Sequence, residues 1–299
     1  MINPNIAFFD SGQGGLTIWE NVLKKFPNLN TQYMGDNARC PYGNKSNETI
    51  IQYATEAFSF LAARKAMLIV VACGTVSSVA VKYLQNEYKI PIIGIVEGFC
   101  QFVAQILEDS ARTVAVIATR YTIKSKRFLD ELSLYGIHNV WDRACPLFVP
   151  LVEEGIAQGS IVDAACDMYL WDIPRNVKVV MLACTHYPRI VLPIAQSLSR
   201  LTGRSVISKT IDGDWLLSLG DNNREDPIYL VDASSSIVQY IDGFLKGHGL
   251  VENLLSIGEQ KVLCTDSPLD FENAARFFTN SSLKNIEAVN LMPLTKQGC

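Results

Sequence analysis

A doubly covered α/β architecture, with mostly parallel sheets flanked by helices, is predicted by three features of the sequence. Short β-branched runs alternate with stretches whose apolar residues recur at helical spacing, the signature of βαβ units. Several runs, such as residues 67–72 and 177–182, are apolar almost throughout, as strands covered on both faces must be. Two of those runs also end alike, in Ala-Cys followed by a small or hydroxyl residue.

Taken in order, residues 6–9 form a first apolar strand and 16–26 a helix with apolar positions on one face. Residues 32–35 give a short second strand that runs into a turn-rich loop, and 48–64 a long helix. Strands at 67–72 and 92–95 enclose a helix at 77–87, and a helix at 98–108 leads to a strand at 113–117. A helix at 122–135, a strand at 177–182, a helix at 192–201 and a strand at 229–231 continue the alternation. Residues 220–227, rich in Asp and Asn, read as a polar surface loop, and after Gly247 the pattern weakens until an amphipathic helix at 271–278. The segments Met67-Leu-Ile-Val-Val-Ala-Cys-Gly-Thr75 and Val179-Val-Met-Leu-Ala-Cys-Thr-His186 suggest an internal repeat of two similar halves. Pro91 and Gly98 flank a crossing near residues 94–97, and residues 209–213 look like a return. The expected domains are therefore residues 1–97 plus 212–299 and, inserted between them, residues 98–211.

Composition narrows the function. At 299 residues, 48% hydrophobic and 19% charged, the chain is neither disordered nor disulfide-stapled, and its length admits two domains. A net charge of −4, from 26 basic and 30 acidic side chains, is too mild for an electrostatic grip on nucleic acid or an anionic membrane, so a small-molecule partner is expected. The longest apolar stretch, residues 67–73, is far short of the ~20 residues that span a bilayer. The eight cysteines show no CxxC and no Cys/His quartet, and the chain opens without a secretory signal. Free thiols in a reducing cytoplasm are expected, without a structural zinc.

Chemistry concentrates at the ends of strands. Asp10-Ser-Gly-Gln-Gly-Gly15 permits a sharp turn, but Gly12, Gly14 and Gly15 do not have the dinucleotide-binding spacing. A capped strand-to-helix turn explains it equally well. In Gly35-Asp-Asn-Ala-Arg-Cys-Pro-Tyr-Gly43, Tyr42 and Gly43 can shape a pocket rim while Cys40 packs. Cys73 and Cys184 are the sharper signal. A lone cysteine in an apolar run is ordinarily inert, but two in matched settings, beside Thr75 and Thr185 and before helix N-termini, sit in a field that favours thiolate. His186, two residues past Cys184, can hold or accept a proton near neutral pH, and Glu153 or Glu154 offers a carboxylate to orient it. His138 and His248 receive no role.

Two opposed thiols suit the inversion of a stereocentre. One base removes a proton from one face while an acid delivers a proton to the other, and identical groups serve a reaction that runs both ways. For an amino acid, the carbanion-like state at Cα must be stabilised by hydrogen bonds in a water-poor site.

The sequence resembles the glutamate racemases of the aspartate/glutamate racemase superfamily, nearly end to end. Five motifs carry the resemblance in family order: Phe9-Asp-Ser-Gly-Gln-Gly-Gly-Leu-Thr17, Gly35-Asp-Asn-Ala-Arg-Cys-Pro-Tyr-Gly-Asn-Lys-Ser46 with Cys40 as a local variation, Ala72-Cys-Gly-Thr75, Ala144-Cys-Pro-Leu-Phe-Val-Pro-Leu-Val-Glu-Glu-Gly155, and Ala183-Cys-Thr-His-Tyr-Pro188. The resemblance implies that Cys73 and Cys184 transfer the protons, with Asp10 assisting the first and His186, oriented by Glu153, the second. It implies that Ser11, Thr75, Thr185 and His186 hold the amino and carboxylate groups, that Pro41, Tyr42 and Gly43 line the side-chain end, and that Gly74, Thr119 and Thr122 lie near the substrate. It further implies two α/β domains related by a pseudo-twofold with the site in the cleft between them, no metal or organic cofactor, a homodimer, and D-glutamate production for bacterial peptidoglycan in the cytoplasm. Gly74 departs from the family pattern, which has asparagine there. Losing an amide contact to a charged group costs on the order of 1.5–3 kcal/mol. An aspartate or broader amino-acid racemase, another superfamily activity using one thiol as nucleophile, and a weakly active ligand-binding homologue are the alternatives this leaves.

Overall fold

Fully apolar runs become the inner strands of two sheets, and the polar ends of those strands become the turns that carry the chemistry. The structure, a computed structural model, describes residues 5–107, 112–210, 213–218, 226–250, 258–279, 281–283 and 285–291, without the side chains of 209, 210 and 213–218. The strands are β1 (Asn5–Asp10), β2 (Asn30–Gly35), β3 (Leu68–Val71), β4 (Ile92–Gly94), β5 (Thr113–Ala118), β6 (Val140–Ala144), β7 (Val177–Leu182), β8 (Val206–Thr210), β9 (Gly213–Ser218), β10 (Ile228–Asp232), β11 (Gln260–Cys264) and β12 (Ile286–Ala288). The helices are α1 (Leu16–Lys25), α2 (Asn47–Ala63), α3 (Gly74–Val79), α4 (Val81–Leu84), α5 (Ile95–Ile106), α6 (Arg120–Lys124), α7 (Arg127–Leu134), α8 (Phe148–Glu153), α9 (Ser160–Leu170), α10 (Val191–Thr202), α11 (Ser234–Gly247) and α12 (Pro268–Ala275).

The chain divides into two compact units, Met1–Gly94 with Phe244–Cys299, and Ile95–Gly243. In the first, six parallel strands run in the order β12-β11-β2-β1-β3-β4. All four residues of β3 are buried, as its central place requires. Ser46 caps α2 by accepting the Thr49 N–H, and Ser267 caps α12 by accepting the Asp270 N–H, with Pro268 in the first turn where no N–H is needed. Two glycines let α1 and α3 seat closely. A Cβ on Gly15 would lie 2.8 Å from the Asp10 Cβ and 2.9 Å from the Ala72 Cβ, and one on Gly94 would lie 2.9 Å from the Ser77 Cβ on α3. Both contacts press a helix start against the strand ends that flank Cys73.

In the second unit the order is β6-β5-β7-β10-β8-β9, parallel except for the antiparallel pair β8 and β9. The boundary expected at residue 212 does not fall there. β8 and β9 pair antiparallel at the edge of this sheet, and β10 pairs with β7 and β8, so the chain returns to the first unit only within α11, after Gly243. Two expected helices are also divided. The one placed at 77–87 begins at Gly74 and breaks at Ala80 into α3 and α4. The one at 122–135 breaks where Lys126 takes a left-handed φ of 57°, giving α6 and α7. Of the polar loop expected at 220–227, residues 220–225 lie outside the described residues. Among the described residues no helix is long and apolar enough to cross a membrane.

Candidate active site

Each unit places one thiol two residues beyond the carboxyl end of an inner strand, where open α/β sheets bind ligands. Cys73 follows β3 in an extended conformation and precedes α3. Its neighbour in the sheet is β1, in the register Phe9 to Val71, so Asp10 and Ser11 emerge beside Ala72 and Cys73. The Cys73 Sγ lies 3.5 Å from the Ser11 Oγ. Asp10 has no solvent exposure and its Oδ2 accepts the Gly12 N–H at 3.1 Å, while the Tyr33 hydroxyl donates to the Gly12 carbonyl at 2.9 Å. The glycine-rich turn is thus folded around Asp10, which caps its own loop. Thr75 is buried on α3, beside Gly74.

Burial, and then the Asp10 charge, push the Cys73 thiol up to about 11, against hydrogen bonds to Ser11 and to the N–H groups of Val76 and Ser11. The thiolate-favouring field expected at the strand end is therefore present but outweighed: desolvation and a neighbouring carboxylate are worth more than two amide dipoles.

The loop from Asp36 to Gly43 enters its position through a cis Cys40–Pro41 bond. Tyr42, expected at the pocket rim, is 1% exposed and its hydroxyl donates to Asp36, while Pro41 and Gly43 are half-buried. The part of Tyr42 able to recognise a polar group is therefore already engaged.

Cys184 follows β7 by the same two residues, and β5 is its neighbour in the register Ile117 to Leu182. Thr119, two residues past Ile117, takes the place that Ser11 takes in the first unit. Its Oγ1 lies 3.0 Å from the Thr122 Oγ1, and both threonines are buried. The Cys184 Sγ lies 4.0 Å from the His186 Nδ1, the Thr185 Oγ1 3.5 Å from the same nitrogen, and the His186 Nε2 3.3 Å from the Glu153 Oε1 at the end of α8. Sulfur, imidazole and carboxylate thus lie in line, with Glu153 on one ring nitrogen of His186 and the thiol nearest the other. The two units therefore repeat the strand-end backbone but not the side chain beside the thiol: a carboxylate near Cys73, an imidazole near Cys184.

Residual exposure separates these thiols from the rest of the core. Cys73 and Cys184 are 5% and 8% exposed, whereas Cys100, Cys145 and Cys166 are fully enclosed, and burial pushes each of those three thiols up. Every cysteine among the described residues is free. Among the described residues no group of three or more His, Cys, Asp or Glu side chains is arranged to hold a metal ion.

Sequence reasoning missed the polar cluster behind Tyr42. Asp36 is fully buried, and its side chain accepts from Tyr42, from the Arg39 Nε at 2.7 Å and from the Thr265 Oγ1 at 2.7 Å. Arg39 also binds Glu56, which is 4% exposed on α2. Glu56 lies off the face of α2 that carries Ile50, Ala54, Ala57 and Leu61, so apolar spacing gave no signal for its burial.

A family model described as Asp/Glu/Hydantoin racemase matches residues 19–211, more than half of the chain. The chain is 36% identical over 244 residues to glutamate racemase of Aquifex aeolicus, covering 79% of this chain and 92% of that one. It is 32% identical over 280 residues to glutamate racemase of Persephonella marina, covering 93% and 95%. The crystal structure of glutamate racemase from Francisella tularensis in complex with D-glutamate superposes with a TM-score of 0.80 at 30% identity, covering 97% of this chain and 98% of that one.

Proposed function

The chain belongs to the Asp/Glu/Hydantoin racemase family, and from that premise we propose that it is an isomerase that interconverts L- and D-glutamate by proton transfer at Cα. The observation that carries the reading is the repeated strand-end thiol, each with its own polar partner, Ser11 and Asp10 for Cys73 and His186 with Glu153 for Cys184.

The proposed cycle begins with glutamate bound as a zwitterion. Its ammonium, beside Asp10, offsets the carboxylate charge that holds the Cys73 proton, so that thiol can act as a base. One thiolate takes the Cα proton while the thiol on the opposite face gives up its own, and the configuration inverts. In the reverse direction the roles exchange. Ser11, Thr75, Thr119, Thr122 and Thr185 supply hydroxyls for the α-carboxylate and ammonium, and the Pro41-Tyr42-Gly43 loop meets the side chain. Gly74 contributes backbone only. A proton leaves one sulfur and arrives at the other, so the reaction balances without electron transfer and calls for no redox or carbonyl cofactor. In the cell the product is D-glutamate for peptidoglycan, made in the cytoplasm by a homodimer.

The test is the optical activity of purified protein with each enantiomer of glutamate, aspartate and alanine. Loss of ellipticity from both glutamate enantiomers, abolished by Cys73→Ala and by Cys184→Ala, supports the assignment. Turnover of aspartate alone would redirect it to a different acidic substrate. Binding of glutamate without turnover would favour a ligand-binding role, the alternative that Gly74 raises.

A further inference from the structure

The loop that meets the substrate side chain in this reading is held from behind by groups far away in sequence. Thr265, just past β11, makes three hydrogen bonds to the segment that opens the loop. Its Oγ1 donates to the Asp36 Oδ1 at 2.7 Å and accepts the Ala38 N–H at 3.0 Å, and its own N–H donates to the Asn37 Oδ1 at 3.0 Å. Asp36 passes the constraint on, since its other oxygen takes both the Tyr42 hydroxyl and the Arg39 Nε. The Arg39 guanidinium lies 3.9 Å over the Tyr53 ring, and Tyr53 in turn packs against Tyr42 with ring centroids 5.4 Å apart. The Asp36 N–H also donates to the Asp10 carbonyl at 3.0 Å, tying the same hub to the Cys73 side of the site.

We propose that Asp36 and Thr265 are positioning residues that fix the Pro41-Tyr42-Gly43 loop against the substrate's side-chain end. The inference rests on the glutamate reading above. A buried carboxylate is retained because three donors satisfy it, and removing one donor leaves the others free to re-aim the loop. Such a device acts on substrate affinity, since it touches neither sulfur nor the Cα proton.

The experiment compares Thr265→Val, which keeps the shape and loses the hydroxyl, with Thr265→Ser, which keeps the hydroxyl. Both are measured for racemisation kinetics, for D-glutamate binding by calorimetry and for thermal stability. Losing one hydrogen bond to a charged group is expected to raise KM and Kd about tenfold in Thr265→Val. The value of kcat should stay within about twofold, and Thr265→Ser should restore both constants. Unchanged KM and Kd in Thr265→Val overturn the proposal. So does an equal loss in the serine variant, or a fall in kcat with affinity intact. If the unaltered protein binds glutamate without turning it over, the racemase reading fails while the binding arm still decides the positioning role. If it neither binds nor turns over glutamate, both fall. Should Thr265→Val not fold, Asn37→Ala removes the acceptor of the Thr265 N–H and is expected to weaken binding about threefold, with an unchanged Kd overturning the proposal.

Discussion

Replacing His186 by asparagine separates proton handling at Cys184 from the shape of its surroundings. Asparagine keeps a polar atom at the level of Nδ1, beside Cys184 and Thr185, but does not reach Glu153 and cannot exchange protons. At the observed 4.0 Å, a thiolate and an imidazolium attract by about 4 kcal/mol at an effective dielectric of ~20, and by about 1 kcal/mol in bulk water. His186 and Cys184 are 3% and 8% exposed, which places the pair nearer the first limit. A net loss of about 2–3 kcal/mol is expected, which lowers kcat/KM roughly 30- to 160-fold. Enantiomers are equal in free energy, so kcat/KM must fall by the same factor in both directions even though only one thiol has lost its partner. The assay is circular dichroism with L- and D-glutamate across a pH series, alongside a melting curve to establish that the variant is folded. A folded His186→Asn protein with undiminished kcat/KM would refute this role of His186. Glu153→Gln should cost less, about fivefold, because its side chain is 31% exposed and solvent screens its charge.

Three further outcomes follow from other parts of the molecule. Alkylation of Cys73 should accelerate with pH up to about 11, and Asp10→Asn, by removing a charge that holds the proton on, should move that profile downward while slowing racemisation; an unmoved profile in a mass-spectrometric labelling series contradicts the Asp10 contribution. Burial works against the Asp226 charge, but hydrogen bonds from Arg112 and Lys178 with the charges of Arg204 and Lys178 hold its carboxyl down to about 2. Its stabilising contribution is therefore present above the unfolded carboxylate range near pH 4 and is lost as pH falls toward 2. Discounted for its partial exposure, Asp226→Asn should cost about 1 kcal/mol in chemical denaturation at pH 7 and nothing near pH 2. Gly74→Asn should raise kcat/KM for glutamate about tenfold if an amide next to Cys73 is what the site lacks; an unchanged or lower rate would show a backbone adapted to glycine.

Strands such as β3 and β7 were legible because burial on both faces leaves a nearly unbroken apolar run, whereas the inner strands β8 and β11 were not read. The edges were not. β6 reads Val-Trp-Asp-Arg-Ala, half-buried throughout, and β12 is mostly exposed, so neither carries the apolar signal of its partners. Apolar spacing continued through both helix breaks, which differ in kind: Lys126 takes a left-handed φ, while Ala80 stays right-handed with its φ opened to −105°. The placement of the return crossing failed because β8 and β9 pair antiparallel, an arrangement that spacing alone does not distinguish from a change of domain. At the site, Asp10, Cys73, Cys184 and His186 could be found because their motifs are contiguous. The support behind them could not, since Thr265 meets Asp36 across 229 positions and nothing local marks either as a partner.

Proton NMR of glutamate incubated with the protein in deuterium oxide tests the two-thiol proposal most directly. At early conversion of either enantiomer, the product should carry solvent deuterium at Cα while the recovered substrate retains protium, because one sulfur removes and the other delivers. Product that keeps the substrate's own proton, or turnover that survives in a Cys73→Ala or Cys184→Ala protein, would contradict it.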